Sequence, residues 1–173
     1  HQRLCLAFAD PGRLLFRLET TPACRLLVLS PQAPDWDRAF AGFPPILAGP
    51  PRVKPFDPVI RDGQVLRFRL RANPVVKREG HRHGLFREED QLAWLARKGA
   101  DGGFVPVSVR TAGGSTSISR KNSSRAAAPQ RHFSVDYEGL LRVTDARQFA
   151  RVLRCGIGPA KAYGFGLLAV ARP

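Results

Sequence analysis

The clearest pattern in the chain is a strict alternation of apolar and basic residues from Val65 to Ala72. A period of two is typical of a strand with one buried and one exposed face. The apolar face holds Leu66, Phe68, Leu70 and Ala72, and the basic face holds Arg67, Arg69 and Arg71. The pattern therefore predicts a half-buried strand with a row of arginines along its outer side.

Downstream of this strand the hydrophobic spacing predicts five further elements. A helix over residues 88–98 begins with three acids and ends with two cations before Gly99, which is the charge order that the helix dipole favours. We further predict a strand over 104–110, a long polar loop over 111–130, a strand over 132–143, a helix capped by Thr144, and a last strand over 165–171.

The first half of the chain predicts a similar but incomplete set. We expect a helix over residues 1–9, strands over 14–19 and 24–29, a short helix over 34–40, and an edge strand near 52–56 within the proline-rich stretch 44–63. Strand, helix, strand, strand, helix, strand is the ferredoxin-like order found in many RNA-recognition modules. We therefore predict an α+β protein of two tandem ferredoxin-like domains, residues 1–60 and 61–173. Because the chain has no Met, even at position 1, we expect the opening strand to precede His1.

Charge narrows the class of partner. The 173 residues are 43% hydrophobic, enough for a core, yet carry a net charge of +14. Such an excess favours a polyanion as the partner, with nucleic acid ahead of an anionic membrane.

No apolar run is long enough to span a bilayer, and the three cysteines, Cys5, Cys24 and Cys155, are too far apart for a disulfide framework or zinc knuckle. These features predict a cytoplasmic protein without a membrane partner.

The most specific motif is the glycine-rich stretch from Gly156 to Gly166. A nucleotide-cofactor fingerprint needs strand, glycines and then helix, whereas here the glycines follow a helix and precede a strand. One interpretation is an RNA-facing loop in which Gly156 and Gly158 admit a phosphate, Lys161 supplies a charge and Tyr163 a stacking surface. The other is a helix cap and a tight turn, which explains the first glycines but not the segment from Lys161 onward.

Two basic segments add candidate RNA contacts. Acids are rare in both: one, Glu79, in the first, and none between Asp101 and Asp136. Either segment could be an ordinary solvated surface, or, for the second, a flexible linker. The candidates are Arg67, Arg69, Arg71, Lys77, Arg78 and Arg82 in the first segment, and Arg120, Lys121, Arg125 and Arg131 in the second. The nearby pair His81 and His83 is flanked by arginines without carboxylates, which makes a poor metal site.

The residues present favour metal-independent over metal-dependent chemistry. The acids are scattered and no hydrolase or phosphate-loop motif occurs. RNA can be cleaved by its own 2′-hydroxyl with only proton transfer and charge stabilisation, for which one histidine and nearby cations suffice. The candidate histidines are His1, His81, His83 and His132.

Three stretches resemble the CasE family, the CRISPR repeat-processing endoribonuclease subunit of type I-E Cascade. They are Leu70-Arg71-Ala72-Asn73-Pro74-Val75-Val76-Lys77, Gln91-Leu92-Ala93-Trp94-Leu95, and the glycine-rich stretch followed by Leu167-Leu168. The family has a catalytic histidine early in the first helix, and His1-Gln2-Arg3-Leu4 with Ala7-Phe8 matches that position.

The resemblance implies two ferredoxin-like domains, metal-independent cleavage of precursor CRISPR RNA at the base of the repeat hairpin, and no cofactor. It implies that His1 is the general acid or base and that the enzyme stays on the hairpin as a subunit of Cascade. A family tyrosine before this histidine would fall ahead of His1. The competing hypothesis is a non-catalytic RNA-binding scaffold, and a protein of anionic membranes comes third because no predicted helix pairs a lysine-rich face with a broad apolar one.

Overall fold

The computed structural model describes residues 2–20, 23–42, 47–119 and 130–173, and within these ranges the side chains of 113–119, 130 and 131 are not described. The helices are α1 (Gln2–Cys5), α2 (Trp36–Phe40), α3 (Glu88–Asp101) and α4 (Ala146–Cys155). The strands are β1 (Leu15–Glu19), β2 (Arg25–Leu29), β3 (Val65–Ala72), β4 (Val75–Arg78), β5 (His81–Gly84), β6 (Phe104–Ser119), β7 (Gln130–Val143) and β8 (Leu168–Ala171). None of the helices in these ranges is long and apolar enough to cross a membrane.

The second half forms one antiparallel sheet in the order β6-β7-β3-β8. The alternating strand is confirmed with its predicted bounds, and it lies centrally, paired with β7 on one side and β8 on the other. Its apolar face packs with Trp94 and Leu95 of α3 and with Phe149 and Leu153 of α4 in a single core. With α3 and α4 on one face, the set β3, α3, β6, β7, α4, β8 has the predicted ferredoxin-like order and topology.

The first half contributes helix, strand, strand, helix to the fold. Strands β1 and β2 pair antiparallel, from Leu15 opposite Leu29 to Glu19 opposite Arg25. A small core of its own surrounds Leu4, Phe8 and Ala39. The edge strand expected near residues 52–56 is wrong, because the described residues 47–64 contain no strand until β3. Prolines in this stretch lack the N–H that a strand ladder requires. The domain boundary near residue 60 stays a prediction, supported by the two separate cores.

The prediction of a polar loop over residues 111–130 is also wrong at both ends of this range. Strand β6 continues to Ser119 and β7 begins at Gln130, so the two strands extend beyond the sheet as a two-stranded ribbon. In the ribbon Thr116 pairs with Phe133 and Ser117 with His132. Glycine and serine in this segment indicate a loop by composition, but pairing with β7 supplies backbone partners that composition cannot reveal.

Three smaller features differ from the sequence prediction. Strands β4 and β5 form a hairpin that was not predicted, joined by Glu79 and Gly80, both at positive φ. Helix α3 passes through Gly99 and ends at Asp101. The cap of α4 is Asp145 rather than Thr144, since the carboxylate of Asp145 accepts a hydrogen bond from the backbone N–H of Gln148 at 2.9 Å.

Gly166 is required where the glycine-rich segment enters β8. Its φ is +86°, and a Cβ there would lie 2.4 Å from the carbonyl oxygen of Ile157. We expect Gly166→Ala to lower the free energy of unfolding by roughly 2–4 kcal/mol, combining backbone strain with a steric clash. Urea denaturation followed by circular dichroism measures it.

Gly63→Ala is the matched control, because Gly63 has a similar φ of +76° but nothing within 4 Å of an added Cβ. The free energy of unfolding of this variant should fall by only about 1 kcal/mol, because only the conformational cost of alanine at positive φ remains. Equal losses in the two variants would show that the contact with Ile157 contributes nothing.

Candidate nucleic-acid interface

The glycine-rich loop, residues 156–166, connects α4 to β8. Gly156 ends α4 and donates its N–H to the carbonyl of Val152 at 2.8 Å. The N–H of Ile157 donates to the carbonyl of Gly166 at 2.9 Å, which closes the loop at its base. A single 3₁₀ turn, Lys161–Tyr163, forms its far side. The helix-cap interpretation is therefore confirmed for Gly156, and the loop keeps a separate turn that carries Lys161 and Tyr163.

The loop lies where the two halves of the chain meet. A Cβ on Gly156 would approach Leu15 of β1 to 2.9 Å, and one on Gly158 would approach Trp94 of α3 to 2.9 Å. The N–H of Gly166 also donates to the carbonyl of Arg71 at 2.8 Å, at the end of β3. The loop is thus packed against a strand of the first half and a helix and a strand of the second.

Lys161 is half-buried and is affected by the charges of two cations from other parts of the chain, Arg13 and Lys98. Its Nζ donates to the carbonyl of Gly158 at 2.7 Å. Burial is the main cause that lowers the pKa of Lys161, and the charge of Arg13 lowers this pKa further. Cys155 has an opposite effect, and Lys98 adds the smallest lowering effect. A cation whose charged form is disfavoured by its surroundings gains from a nearby anion. The loop is therefore an electrostatically favourable place for a phosphate.

The predicted basic face of β3 is present, but acids from β7 lie beside it. Arg69 lies 3.6 Å from Glu138 and Arg71 lies 3.8 Å from Asp136, each pair being cross-strand neighbours. Arg67 lies opposite Leu140. Burial raises the pKa of Asp136, against the opposing charges of Arg71 and Arg17. A phosphate on this face would have to compete with the two carboxylates.

The same face forms a shallow depression of about 650 Å³. Arg67, Arg69 and Arg110 line it together with the acid Glu138 of β7 and small and apolar residues of the sheet. Its cations come from β3 and β6, so the depression extends the basic surface across the sheet, away from the glycine-rich loop.

Arg17 of β1 joins the first half of the chain to this face. Its side chain is only 8% exposed, pairs with Glu19 at 2.6 Å and donates to the carbonyl of Arg69 at 3.3 Å. Because both charges of the pair are largely sheltered, removing either would leave the other uncompensated. Arg17 therefore serves the contact between β1 and β3.

The β4–β5 hairpin holds the predicted candidates Lys77, Arg78 and Arg82 on exposed positions. Lys77 pairs directly with Arg82, and Arg78 with His81. Like charges directly opposite in an antiparallel pair destabilise it. A polyanion bound along the hairpin would relieve this repulsion.

Several predicted residues fall outside what the structure describes. These are His1, Arg120, Lys121 and Arg125, together with the side chain of Arg131 on β7. Across the described ranges, no group of three or more His, Cys, Asp or Glu side chains is arranged to hold a metal ion. The residues brought together are Arg71, Gly156, Gly158, Lys161 and Tyr163, around the end of β3.

Three residues of this region were missed as site components. Arg13 follows a turn and carries no motif, and Arg17 occupies an ordinary strand position. His132 is one of four candidate histidines, of which the family resemblance singles out His1 instead. The His132 ring packs against the Tyr163 ring in a tilted arrangement, with ring centroids 4.2 Å apart. Of these three, only Arg17 lies in an informative sequence pattern. Its alternation with apolar neighbours predicts a strand, but it does not predict that the Arg17 side chain is buried.

Comparison with known proteins places this geometry in a family. The family model described as "CRISPR associated protein" matches residues 1–172. The CRISPR-associated endoribonuclease Cse3 of Thermus thermophilus is 36% identical over 175 residues, covering 92% of this chain and 80% of that protein. The Cascade subunit CasE of Escherichia coli is 32% identical over 126 residues, covering 63% of this chain and 59% of that protein.

A solved structure of CRISPR endoribonuclease Cse3 bound to a 19-nucleotide RNA superposes with a TM-score of 0.85 at 34% identity, covering 99% of this chain and 88% of that one. The resemblance to CasE and the tandem ferredoxin-like fold are confirmed. The chain belongs to the CRISPR-associated protein family, in which it is similar to Cse3 and CasE.

Proposed function

We propose that this chain is an endoribonuclease that cleaves precursor CRISPR RNA at the base of the repeat hairpin. It then stays bound to the mature RNA as a subunit of a Cascade complex in the cytoplasm. The observation that carries the proposal is the glycine-rich loop, which packs at the junction of the two halves and holds Lys161 on its own turn. Similarity to Cse3 over 92% of the chain supports nuclease activity, and similarity to a Cascade subunit supports the assembly.

The proposed reaction needs no metal. The 2′-oxygen of the scissile nucleotide attacks the adjacent phosphorus, its proton passes to a base, and the bond from phosphorus to the 5′-oxygen breaks as that oxygen takes a proton. The products are a 2′,3′-cyclic phosphate and a 5′-hydroxyl. His1 would transfer one of the two protons, and Lys161 with the backbone N–H groups of the loop would stabilise charge on the phosphate oxygens.

The remaining cations would hold the RNA away from the scissile bond. A-form RNA is bound largely through its backbone and shape, for which arginine is well suited. We assign this role to the sheet face, the β4–β5 hairpin and the segment between β6 and β7. The residues are Arg67, Arg69, Arg71, Lys77, Arg78, Arg82, Arg120, Lys121, Arg125 and Arg131. Gly156, Gly158 and Tyr163 would shape the loop around the phosphate.

The first test is cleavage of an end-labelled type I-E repeat hairpin in excess EDTA. We expect a single cut at the base of the stem, leaving a 5′-hydroxyl and a cyclic phosphate. A 2′-deoxy substitution at the scissile nucleotide should abolish the cut, because the attacking group is then missing. Tight binding without a cut would support the RNA-binding scaffold instead.

The second test is His1→Ala. We expect single-turnover cleavage to slow by roughly 10²–10⁴-fold, the usual contribution of general acid–base catalysis. The dissociation constant for the hairpin should stay within about twofold of that of the parent, since the role assigned to His1 is chemical. His83→Ala, on the exposed hairpin, is the control and should cleave at the parental rate once the RNA is saturated with protein, because the role assigned to the hairpin is in binding. Unchanged cleavage by the His1 variant would assign the chemistry to another residue.

The third test is the salt dependence of binding by Lys161→Ala. We expect the slope of log K against log salt concentration to fall in magnitude by about one, because one phosphate contact is lost. Lys54→Ala removes an equal charge from the exposed segment before β3 and should leave the slope unchanged. If both variants have the slope of the parent protein, Lys161 does not contact a phosphate.

A further inference from the structure

His132 lies where the β6–β7 ribbon leaves the four-stranded sheet. The pairing of β3 with β7 ends at Ala72 opposite Val135, three residues beyond His132 in the chain. His132 itself pairs only with Ser117 of β6 in the strand ladder. Its side chain is therefore at the end of the sheet, level with the residues that follow β3.

The His132 ring contacts two aromatic residues of the glycine-rich loop. The ring centroids of His132 and Tyr163 are 4.2 Å apart with an interplanar angle of 35°, and those of His132 and Phe165 are 6.2 Å apart at 56°. Asn73, buried just after β3, has its Nδ2 3.5 Å from Nδ1 of His132. The imidazole of one β7 residue thus lies against both the end of β3 and the glycine-rich loop.

The protonation state of His132 suits this packing. Burial lowers the pKa of His132, which favours the neutral form of the ring. A neutral imidazole packs on a phenol ring without a desolvated charge, and its Nδ1 can accept a hydrogen bond from the amide of Asn73.

Tyr163 and Lys161 belong to the same 3₁₀ turn. The N–H of Tyr163 donates to the carbonyl of Ala160 at 2.9 Å, and that of Gly164 donates to the carbonyl of Lys161 at 3.1 Å. Two residues of one hydrogen-bonded turn cannot move independently. A contact that fixes the Tyr163 ring therefore also fixes the origin of the Lys161 side chain.

We propose that His132 is a positioning residue for Lys161, which it holds toward the RNA phosphate by packing against Tyr163. That the bound phosphate belongs to RNA rests on the proposed function. That His132 fixes the conformation of the 3₁₀ turn is a property of the protein without RNA. His132 acts through Tyr163 and is not assigned a proton transfer. The two parts can therefore be tested separately.

The first experiment measures amide hydrogen exchange of the full chain without RNA. In His132→Ala the amides of residues 161–166 should exchange at least about fivefold faster than in the parent, while those of α4 and β8 keep their rates. His132→Phe retains an aromatic ring and should restore slow exchange. Unchanged exchange in the loop, or equal acceleration in α4 and β8, would overturn the proposal.

The second experiment is a double-mutant cycle on RNA binding, using His132→Ala and Lys161→Ala. His132→Ala alone should weaken binding about as much as Lys161→Ala and reduce the salt slope by about one. In the Lys161→Ala background it should have no further effect, because the residue it positions is gone. Additive losses would overturn the proposal. Phe86→Ala removes an exposed aromatic that packs on Phe133 and is the control expected to be additive or neutral.

The outcomes separate the two proposals. If loop exchange accelerates but Lys161→Ala binds RNA with an unchanged salt slope, His132 positions the turn and the phosphate role of Lys161 fails. If His132→Ala does not fold, Tyr163→Leu removes the same contact from the other side. That variant should reproduce the fast exchange and the reduced salt slope, and normal values for both would overturn the proposal.

Discussion

The arrangement of the site depends on how closely the glycine-rich loop approaches its neighbours. A side chain on Gly156 would collide with Leu15, one on Gly158 with Trp94, and one on Gly164 would press on Phe16 at 3.0 Å. These neighbours belong to the first half of the chain and to α3 of the second. Because these three positions carry no side chain, the loop can pack between the two halves, and its 3₁₀ turn then carries Lys161 to their junction. Packing and the position of the charge are consequences of the same small residues.

Electrostatics divides the basic surface into two parts. On the sheet face Arg69 and Arg71 already lie near Glu138 and Asp136, so binding a phosphate there replaces one partner with another and the net gain is small. At the loop, burial first and then the charges of Arg13 and Lys98 disfavour the charged form of Lys161, and an anion beside it offsets that cost. The loop is therefore the stronger attractor for a single phosphate, while the sheet face and hairpin suit a longer length of backbone held by many weak contacts.

The sequence predicted those parts of the fold that depend on local pattern. The alternation in β3 predicted the bounds of that strand, and the acids and cations of α3 predicted the helix and its first residue. Both patterns lie within a single element. The polar half of β6 was predicted to be a loop, because its strand conformation depends on pairing with β7, which comes later in the chain. The β4–β5 hairpin was not predicted, because its sequence lacks an alternation of apolar and polar residues. Lys161 was found because glycines surround it. Arg13, Arg17 and His132 were not predicted, since Arg17 and His132 act through contacts with residues distant in the chain and Arg13 through its charge on the distant Lys161.

The glycines that let the loop fit also remove the side chains that would hold it in place. Glycine allows more backbone conformations than any other residue, so a segment rich in it loses more entropy when fixed in one conformation. The loop is closed at its base by the bonds between Ile157, Gly166 and Arg71, which lie outside the turn that carries Lys161. Tyr163 is the one residue of that turn with a ring, and it meets His132. An aromatic contact at this point offsets the freedom that the glycines introduce, where the position of a cation matters most.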